Sequence, residues 1–344
     1  MRKQLLLAVV AVLALGIATA TPAPAAGVVQ YVRITGASRY DTAVALANQF
    51  LTSPTATVYV ANGDKFPDAL AASAAAAHEN APILLTHPTS VPQGTLDMIA
   101  SLKPSKVVIV GGPNAVSEAV KSQITSTAKG ANGSASVLRV GASVGDRYDT
   151  AAALSQSVFP AGVPVVYVAS GTNFPDALSG AAAAGSLGGP VLLVQPSGTE
   201  SSSFVNELQR LKPSKVVLLG GFDAISQVQE AYIQQQAGTA NVDRQAGSDR
   251  YGTSVAVSHD AFDPGVPFVF VTTGANYPDG LAAGAIAGAK HAPVLLTRSN
   301  CLPNAVATEI NRLLGDGGGQ VYVIGGTQAV AWSTDNPPPP ACNG

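Results

Sequence analysis

The sequence predicts an α/β fold built as three tandem modules, each a parallel sheet covered by helices on both faces. Three observations predict it. A nine-residue phrase recurs at Asn62 to Leu70, Ser170 to Leu178 and Thr273 to Leu281, each copy ending in (Phe/Tyr)-Pro-Asp-(Ala/Gly)-Leu. An Arg-Tyr pair keeps step with it at Arg39-Tyr40, Arg147-Tyr148 and Arg250-Tyr251, at shared offsets of 108 and then 103 residues. Between these landmarks apolar runs of strand length alternate with segments of helix length, and recurrence at a fixed period marks a repeat architecture.

The chain opens on Met1-Arg2-Lys3, an apolar stretch from Leu5 to Ala18, and a small-residue site at Ala18-Thr19-Ala20 or Ala23-Pro24-Ala25. The stretch is short for a bilayer span, so residues 1–26 read as a secretory signal peptide. Modules are then expected at 27–134, 135–241 and 242–333, with a Pro-rich tail at 334–344.

In the first module, strands are expected at Tyr31 to Thr35, Thr57 to Ala61, Pro82 to Thr86 and Lys106 to Val110. Runs such as Val107-Val108-Ile109-Val110 do not alternate with polar residues, which fits strands covered on both faces. Helices are expected at Tyr40 to Leu51, Pro67 to Ala77, Pro92 to Leu102 and Asn114 to Thr127. Pro67 suits the first helical position, and Asp68 favours the positive helix end. Ala69 to Ala77 is nearly all small residues, so this helix can approach either its sheet or a neighbouring module closely. The later modules repeat the plan with strands at Val165 to Ser170, Pro190 to Val194 and Val216 to Leu219, then Phe268 to Thr273, Pro293 to Thr297 and Val321 to Ile324. The last copy is incomplete: Gly325-Gly326 leads into the tail, where Gly111-Gly112 and Gly220-Gly221 lead into a full helix.

Composition narrows the function. Hydrophobic residues make up 47% and charged residues 12%, a globular balance. Loss of the leader removes Arg2 and Lys3 and moves the net charge from −2 to about −4, which does not favour nucleic acid. No second apolar segment of spanning length follows, so no membrane attachment of the mature chain is expected. Cys301 and Cys342 are the two cysteines and are expected to form a disulfide in an exported chain. The four histidines show no metal-ligand spacing, so neither metal nor cofactor is expected.

If the strands run parallel, the recurring polar segments share the carboxyl edge of each sheet, where α/β proteins bind ligands. Asp68, Asp176 and Asp279 then have two readings. Either they stabilise helix N-termini and pair with a repeated Arg, or Arg39, Arg147 and Arg250 present planar forks to a ligand's phosphate or carboxylate while the Asp residues accept from sugar hydroxyls. Tyr40, Tyr148 and Tyr251 stack on a sugar or wedge the helix against the sheet. Thr42, Thr150 and Thr253 read as helix-start residues. Gly141-Ala142-Ser143-Val144-Gly145 matches a nucleophile elbow, but its siblings lack the pattern and Ser143 is not read as catalytic.

Arg-x-x-Gly-x-x-Arg-Tyr-x-Thr from Arg33 to Thr42, the Pro-Asp phrase, the Ala-Pro-(Ile/Val)-Leu-Leu-Thr strand and the Val-x-x-Gly-Gly ending together resemble the cell wall-binding repeat 2 family. The resemblance implies three Rossmann-like modules with parallel sheets, arranged in a ring with pseudo-threefold symmetry. It also implies noncovalent retention of exported bacterial proteins on an anionic wall polysaccharide or teichoic-acid-like polymer. In that family the triplet commonly accompanies an effector domain, sometimes an amidase, for which no room is expected here. Gly252 departs from the Asp found at Asp41 and Asp149, and Gly280 departs from Ala. A non-catalytic wall binder is therefore expected, with a wall hydrolase or a protein scaffold as alternatives.

Overall fold

The structure is a computed structural model that describes residues 27–65, 67–141, 145–195, 200–334 and 340–342. The expected signal peptide, Ser143 and most of the Pro-rich tail lie outside these residues. Repeat one contains β1 (Val29–Ile34), α1 (Arg39–Phe50), β2 (Thr57–Asn62), α2 (Pro67–His78), β3 (Ile83–Thr86), α3 (Gln93–Leu102), β4 (Lys106–Val110) and α4 (Glu118–Thr127). Repeat two follows with β5 (Ser136–Val140), α5 (Arg147–Val158), β6 (Val165–Ser170), α6 (Pro175–Ser186), β7 (Val191–Val194), α7 (Ser202–Leu211), β8 (Lys215–Leu219) and α8 (Gln227–Ala237). Repeat three has β9 (Val242–Gln245), α9 (Arg250–Ala261), β10 (Phe268–Thr273), α10 (Pro278–Ala289), β11 (Val294–Thr297), β12 (Leu302–Pro303), α11 (Asn304–Leu314), β13 (Gly319–Ile324) and a terminal β14 (Ala341–Cys342).

Strand and helix alternate as expected, and each main sheet is four-stranded and wholly parallel. Most boundaries shift by a residue or two, as where β1 starts at Val29, and one shifts further: α4 starts at Glu118, four residues later than its apolar pattern suggests. The reason is local, since the Ser117 side chain accepts from Val120 N and caps the helix there.

The sheets are out of phase with the sequence repeat. Strand order is β3-β2-β4-β5 in one sheet, β7-β6-β8-β9 in the next and β11-β10-β13-β1 in the third. The first strand of each repeat thus completes the sheet of the repeat before it, and β1 completes the sheet of repeat three. Four strands grouped by sequence as one module do not form one sheet. An arginine on each crossing strand holds the join: Arg139 Nη1 donates to Gly111 O at 2.8 Å, Arg244 Nη1 to Gly220 O at 2.7 Å, and Arg33 Nη1 to Gly325 O at 2.8 Å.

The small-residue helices α2, α6 and α10 pack against one another and form the centre of the pseudo-threefold arrangement. Close approach explains their composition. A Cβ on Gly288 would lie 2.8 Å from Ala77 Cβ and 2.9 Å from Ala182 O, so one residue of α10 touches both other helices. Ser73 Oγ donates across the same centre to Leu281 O at 3.0 Å. Leu70, Leu178 and Leu281, the last residue of each phrase, are buried, which contributes about 1.5–3 kcal/mol apiece. Cys301 and Cys342, with Cα atoms 5.8 Å apart, are joined as a disulfide that ties β14 beside β12.

Candidate functional site

The crossing from one sheet to the next places a helix start of one repeat over the strand ends of its predecessor. In repeat two, the chain leaves β5 in the first sheet and enters α5, which packs on β7 in the second and against α2. The junction leaves a cleft at the carboxyl ends of the strands, and it recurs at all three boundaries. The repeat one–two cleft has a volume of about 370 Å³, the repeat two–three cleft about 360 Å³ and the repeat three–one cleft about 590 Å³.

Each cleft is floored by the Asp of one repeat and walled by the Arg and Thr of the next. Asp68 meets Arg147 and Thr150, Asp176 meets Arg250 and Thr253, and Asp279 meets Arg39 and Thr42. Burial pushes all three carboxyls above the ordinary Asp range. The partner Thr hydroxyl and Arg guanidinium act in the opposite direction, the hydroxyl more strongly. The last pair, Asp279 with Arg39 and Thr42, closes the circle from repeat three to repeat one.

A glycine makes room for each carboxylate. A Cβ on Gly111 would lie 2.4 Å from Asp68 Oδ2, one on Gly220 2.4 Å from Asp176 Oδ2, and one on Gly325 2.6 Å from Asp279 Oδ2. These three residues also have φ of +92°, +92° and +109°, which a side chain disfavours.

The predicted arginines and tyrosines sit side by side above the strand ends of their own repeat. Arg39 Nη1 donates to Gly63 O at 2.8 Å, Arg147 Nη1 to Gly171 O at 2.6 Å, and Arg250 Nη1 to Gly274 O at 2.5 Å. Tyr40 and Tyr148 are buried, Tyr251 is half-buried, and all three rings pack over those same glycines. They wedge the helix against the strand end. Burial raises the Tyr40 hydroxyl, helped by its hydrogen bond to Asp64, and burial likewise raises that of Tyr148.

In repeat one this layer carries extra polar groups. Tyr40 Oη is 2.8 Å from Asp64 Oδ1 and 2.7 Å from His87 Nδ1, and Tyr277 Oη of repeat three donates to Asp64 O at 2.7 Å. Among the described residues no three His, Cys, Asp or Glu side chains group as metal ligands would. Nor is any helix there long and apolar enough to cross a membrane.

The pattern of the family described as cell wall binding domain 2 (CWB2) matches three successive segments, residues 33–121, 143–230 and 244–334. The chain belongs to the cell wall binding domain 2 family. Its CWB2 repeats are wall-binding modules, and their segments coincide with the three copies that build the clefts. The chain is 27% identical over 305 residues to N-acetylmuramoyl-L-alanine amidase LytC of Bacillus subtilis and 27% identical over 305 residues to the amidase enhancer of the same organism. These matches cover 88% of this chain but only 57% and 39% of the relatives. Among solved structures, Cwp6 from Clostridium difficile superposes with a TM-score of 0.77 at 25% identity, covering 87% of this chain and 46% of Cwp6. Cwp8 from Clostridium difficile has the same fold, with a TM-score of 0.76 at 22% identity over 88% of this chain and 50% of its own.

The six predicted Arg and Asp residues line the junction clefts, whereas the tyrosines pack over glycines of their own repeats, and the Asp of each repeat faces the Arg of the next. Thr42, Thr150 and Thr253 are more than helix-start residues, since each is buried against the Asp of the preceding repeat. The recurring Gly-Gly was the available signal for the carboxylate seat, because a turn alone does not require the first glycine to lie under an Asp.

Proposed function

We propose that this CWB2 chain is an exported, non-catalytic protein that attaches noncovalently to an anionic polymer of the bacterial wall, an acidic polysaccharide or a teichoic-acid-like chain, through its three junction clefts. The observation that carries this reading is the threefold recurrence of one cleft, with a half-buried Asp at its floor and a guanidinium at its wall. Each Arg uses one N–H to bind a strand-end carbonyl, and further N–H groups of its planar fork can meet ligand oxygens, although Arg39 also lies 3.9 Å from Asp64. Three clefts on one body turn modest affinities for a repeating polymer into an avidity greater by about 10²–10⁴. The apolar leader from Leu5 to Ala18 supports export. The Asp residues serve as structural acceptors that orient the next repeat, and repetition favours binding, because a hydrolase gains little from three copies of one site.

Pelleting of the purified protein with isolated walls tests the proposal. Binding is expected to intact walls and to fall when the anionic polymers are chemically removed. Equal pelleting in both cases would reject the anionic polymer as ligand. Dye release from labelled walls, with Asp68, Asp176 and Asp279 each changed to Asn, tests the non-catalytic reading: release by the native protein that the Asn variants lose would make it a hydrolase.

A further inference from the structure

The three clefts share a frame but not a charge pattern. Position 65 of repeat one is Lys, whereas the matching positions in the other repeats are Asn173 and Asn276. Lys65 lines the repeat one–two cleft together with Arg147. Lys65 is exposed, and neither cation has a carboxylate within ion-pair distance among the described residues.

The acids around this cleft are already engaged. Asp64 accepts from Tyr40 and lies 3.9 Å from Arg39 and 3.6 Å from His87. Asp146 caps α5, accepting from Tyr148 N and Asp149 N. Asp68, half-buried, forms the floor and is answered by the Thr150 hydroxyl and by the charges of Arg147 and Lys65. The loop that carries Lys65 is braced as well, because Tyr277 Oη donates to Asp64 O and Asp64 N donates to Asn62 Oδ1 at 2.8 Å.

The other clefts are built differently. In the repeat two–three cleft, Arg250 is the one cation among the lining residues; Asp249 caps α9 and lies 4.0 Å from Arg298, whereas Asp176 forms the floor and an exposed Asp223 has no ion-pair or hydrogen-bond partner among the described residues. In the repeat three–one cleft, Arg39 is again the one lining cation, and it already lies near Asp64 on its other side. The unpartnered Asp223 repels an anion entering the repeat two–three cleft, and in neither cleft does an anion meet a second lining cation.

Resting on the wall-binding reading above, we infer that the acidic group of the polymer is taken by the repeat one–two cleft alone, with Lys65 and Arg147 as its receptors. The other two clefts serve its uncharged parts. Lys65 is then a specificity-determining residue outside the recurring motif, and the chain binds one anion and not three.

The test titrates the full chain with two sugar anions, glucose 1-phosphate and glucuronate, at low salt, mapping backbone amide NMR shifts. Wall pelleting is run on the same variants. Shifts confined to the first cleft, around Gly112, Asn114 and Gly145, are expected with at least one of the two probes, and the stronger binder tells phosphate from carboxylate. Lys65→Gln, at an exposed site, is expected to weaken binding about tenfold, equivalent to about 1.4 kcal/mol. Asn276→Lys is expected to create a second responding cleft. Shifts of equal size in all three clefts, an unchanged affinity in Lys65→Gln, or no response to either anion by protein that still pellets with walls would each overturn the inference. Failure of the native protein to pellet with any wall would instead remove the wall-binding reading on which it rests.

Discussion

Substituting Gly111 by Ala tests how the junctions are held. The residue has φ +92°, a backbone region that costs a side chain about 1–3 kcal/mol. The new methyl would lie 2.4 Å from Asp68 Oδ2 and 3.0 Å from Ala115 Cβ. Displacing a packed group to relieve such contacts costs about 1–3 kcal/mol, so Gly111→Ala alone is expected to destabilise by about 2–6 kcal/mol. In an Asp68→Ala background the carboxylate is gone, and the backbone strain and the Ala115 contact remain. The double variant should therefore exceed the summed single variants in stability by about 1–2 kcal/mol, a coupling typical of residues in contact. Urea unfolding followed by circular dichroism measures this, provided the m-values stay constant. Additivity within about 0.5 kcal/mol would refute the carboxylate seat as the reason for glycine. The same cycle at Gly220 and Asp176, where the Cβ would again lie 2.4 Å from Oδ2, provides an independent copy.

Burial raises the carboxyls of Asp68, Asp176 and Asp279, so the folded chain holds these protons more tightly than the unfolded chain. Their contribution is full below the ordinary Asp value of about 3.9 and is lost as pH rises through the raised native values; urea midpoints should fall across that window and fall less in the triple Asn variant. Glu309, 3% exposed, accepts from Ser258 and Arg312, and the matching positions of repeat one are Met98, Ala47 and Ser101. Glu309→Met alone should cost about 1–3 kcal/mol by leaving the buried Ser258 hydroxyl without its acceptor, whereas exchanging the whole trio for the repeat-one residues should be neutral or stabilising; thermal denaturation compares the two. Reducing the Cys301–Cys342 bond, which closes a separation of 41 residues, should lower stability by at most about 4 kcal/mol on the loop-entropy estimate, read from urea curves with and without reductant.

Local pattern carried most of the fold. Unalternating runs such as Val107 to Val110 and segments that open on Pro and Asp, such as Pro67 to His78, identify strands and helices because their causes are short-range. Phase is different. The sheet edges offered to β1, β5 and β9 by neighbouring repeats are chemically alike, so nothing local says that Ser136 to Val140 pairs with β4. The decision rests on bonds distant in sequence, such as Arg139 to Gly111 O. The same shift explains the site. The recurring Arg and Asp are legible, but their meeting across a repeat boundary follows only from the crossing strands. Lys65 falls outside any search for recurrence because its role depends on being different from Asn173 and Asn276.

The borrowed first strand also bears on how such a protein is inherited. A daisy-chain of units that each lend an edge forward can be lengthened or trimmed one link at a time only while its two ends stay apart. Here the lending runs full circle, with Val29 to Ile34 repaying the final sheet. Two copies would leave an edge unclaimed, and a fourth would have no place on an axis where Gly288 already touches both neighbours. Duplication and recombination within such genes should thus preserve whole triplets, and a shuffled hybrid should fold only when its crossover points fall at equivalent phases of the cycle.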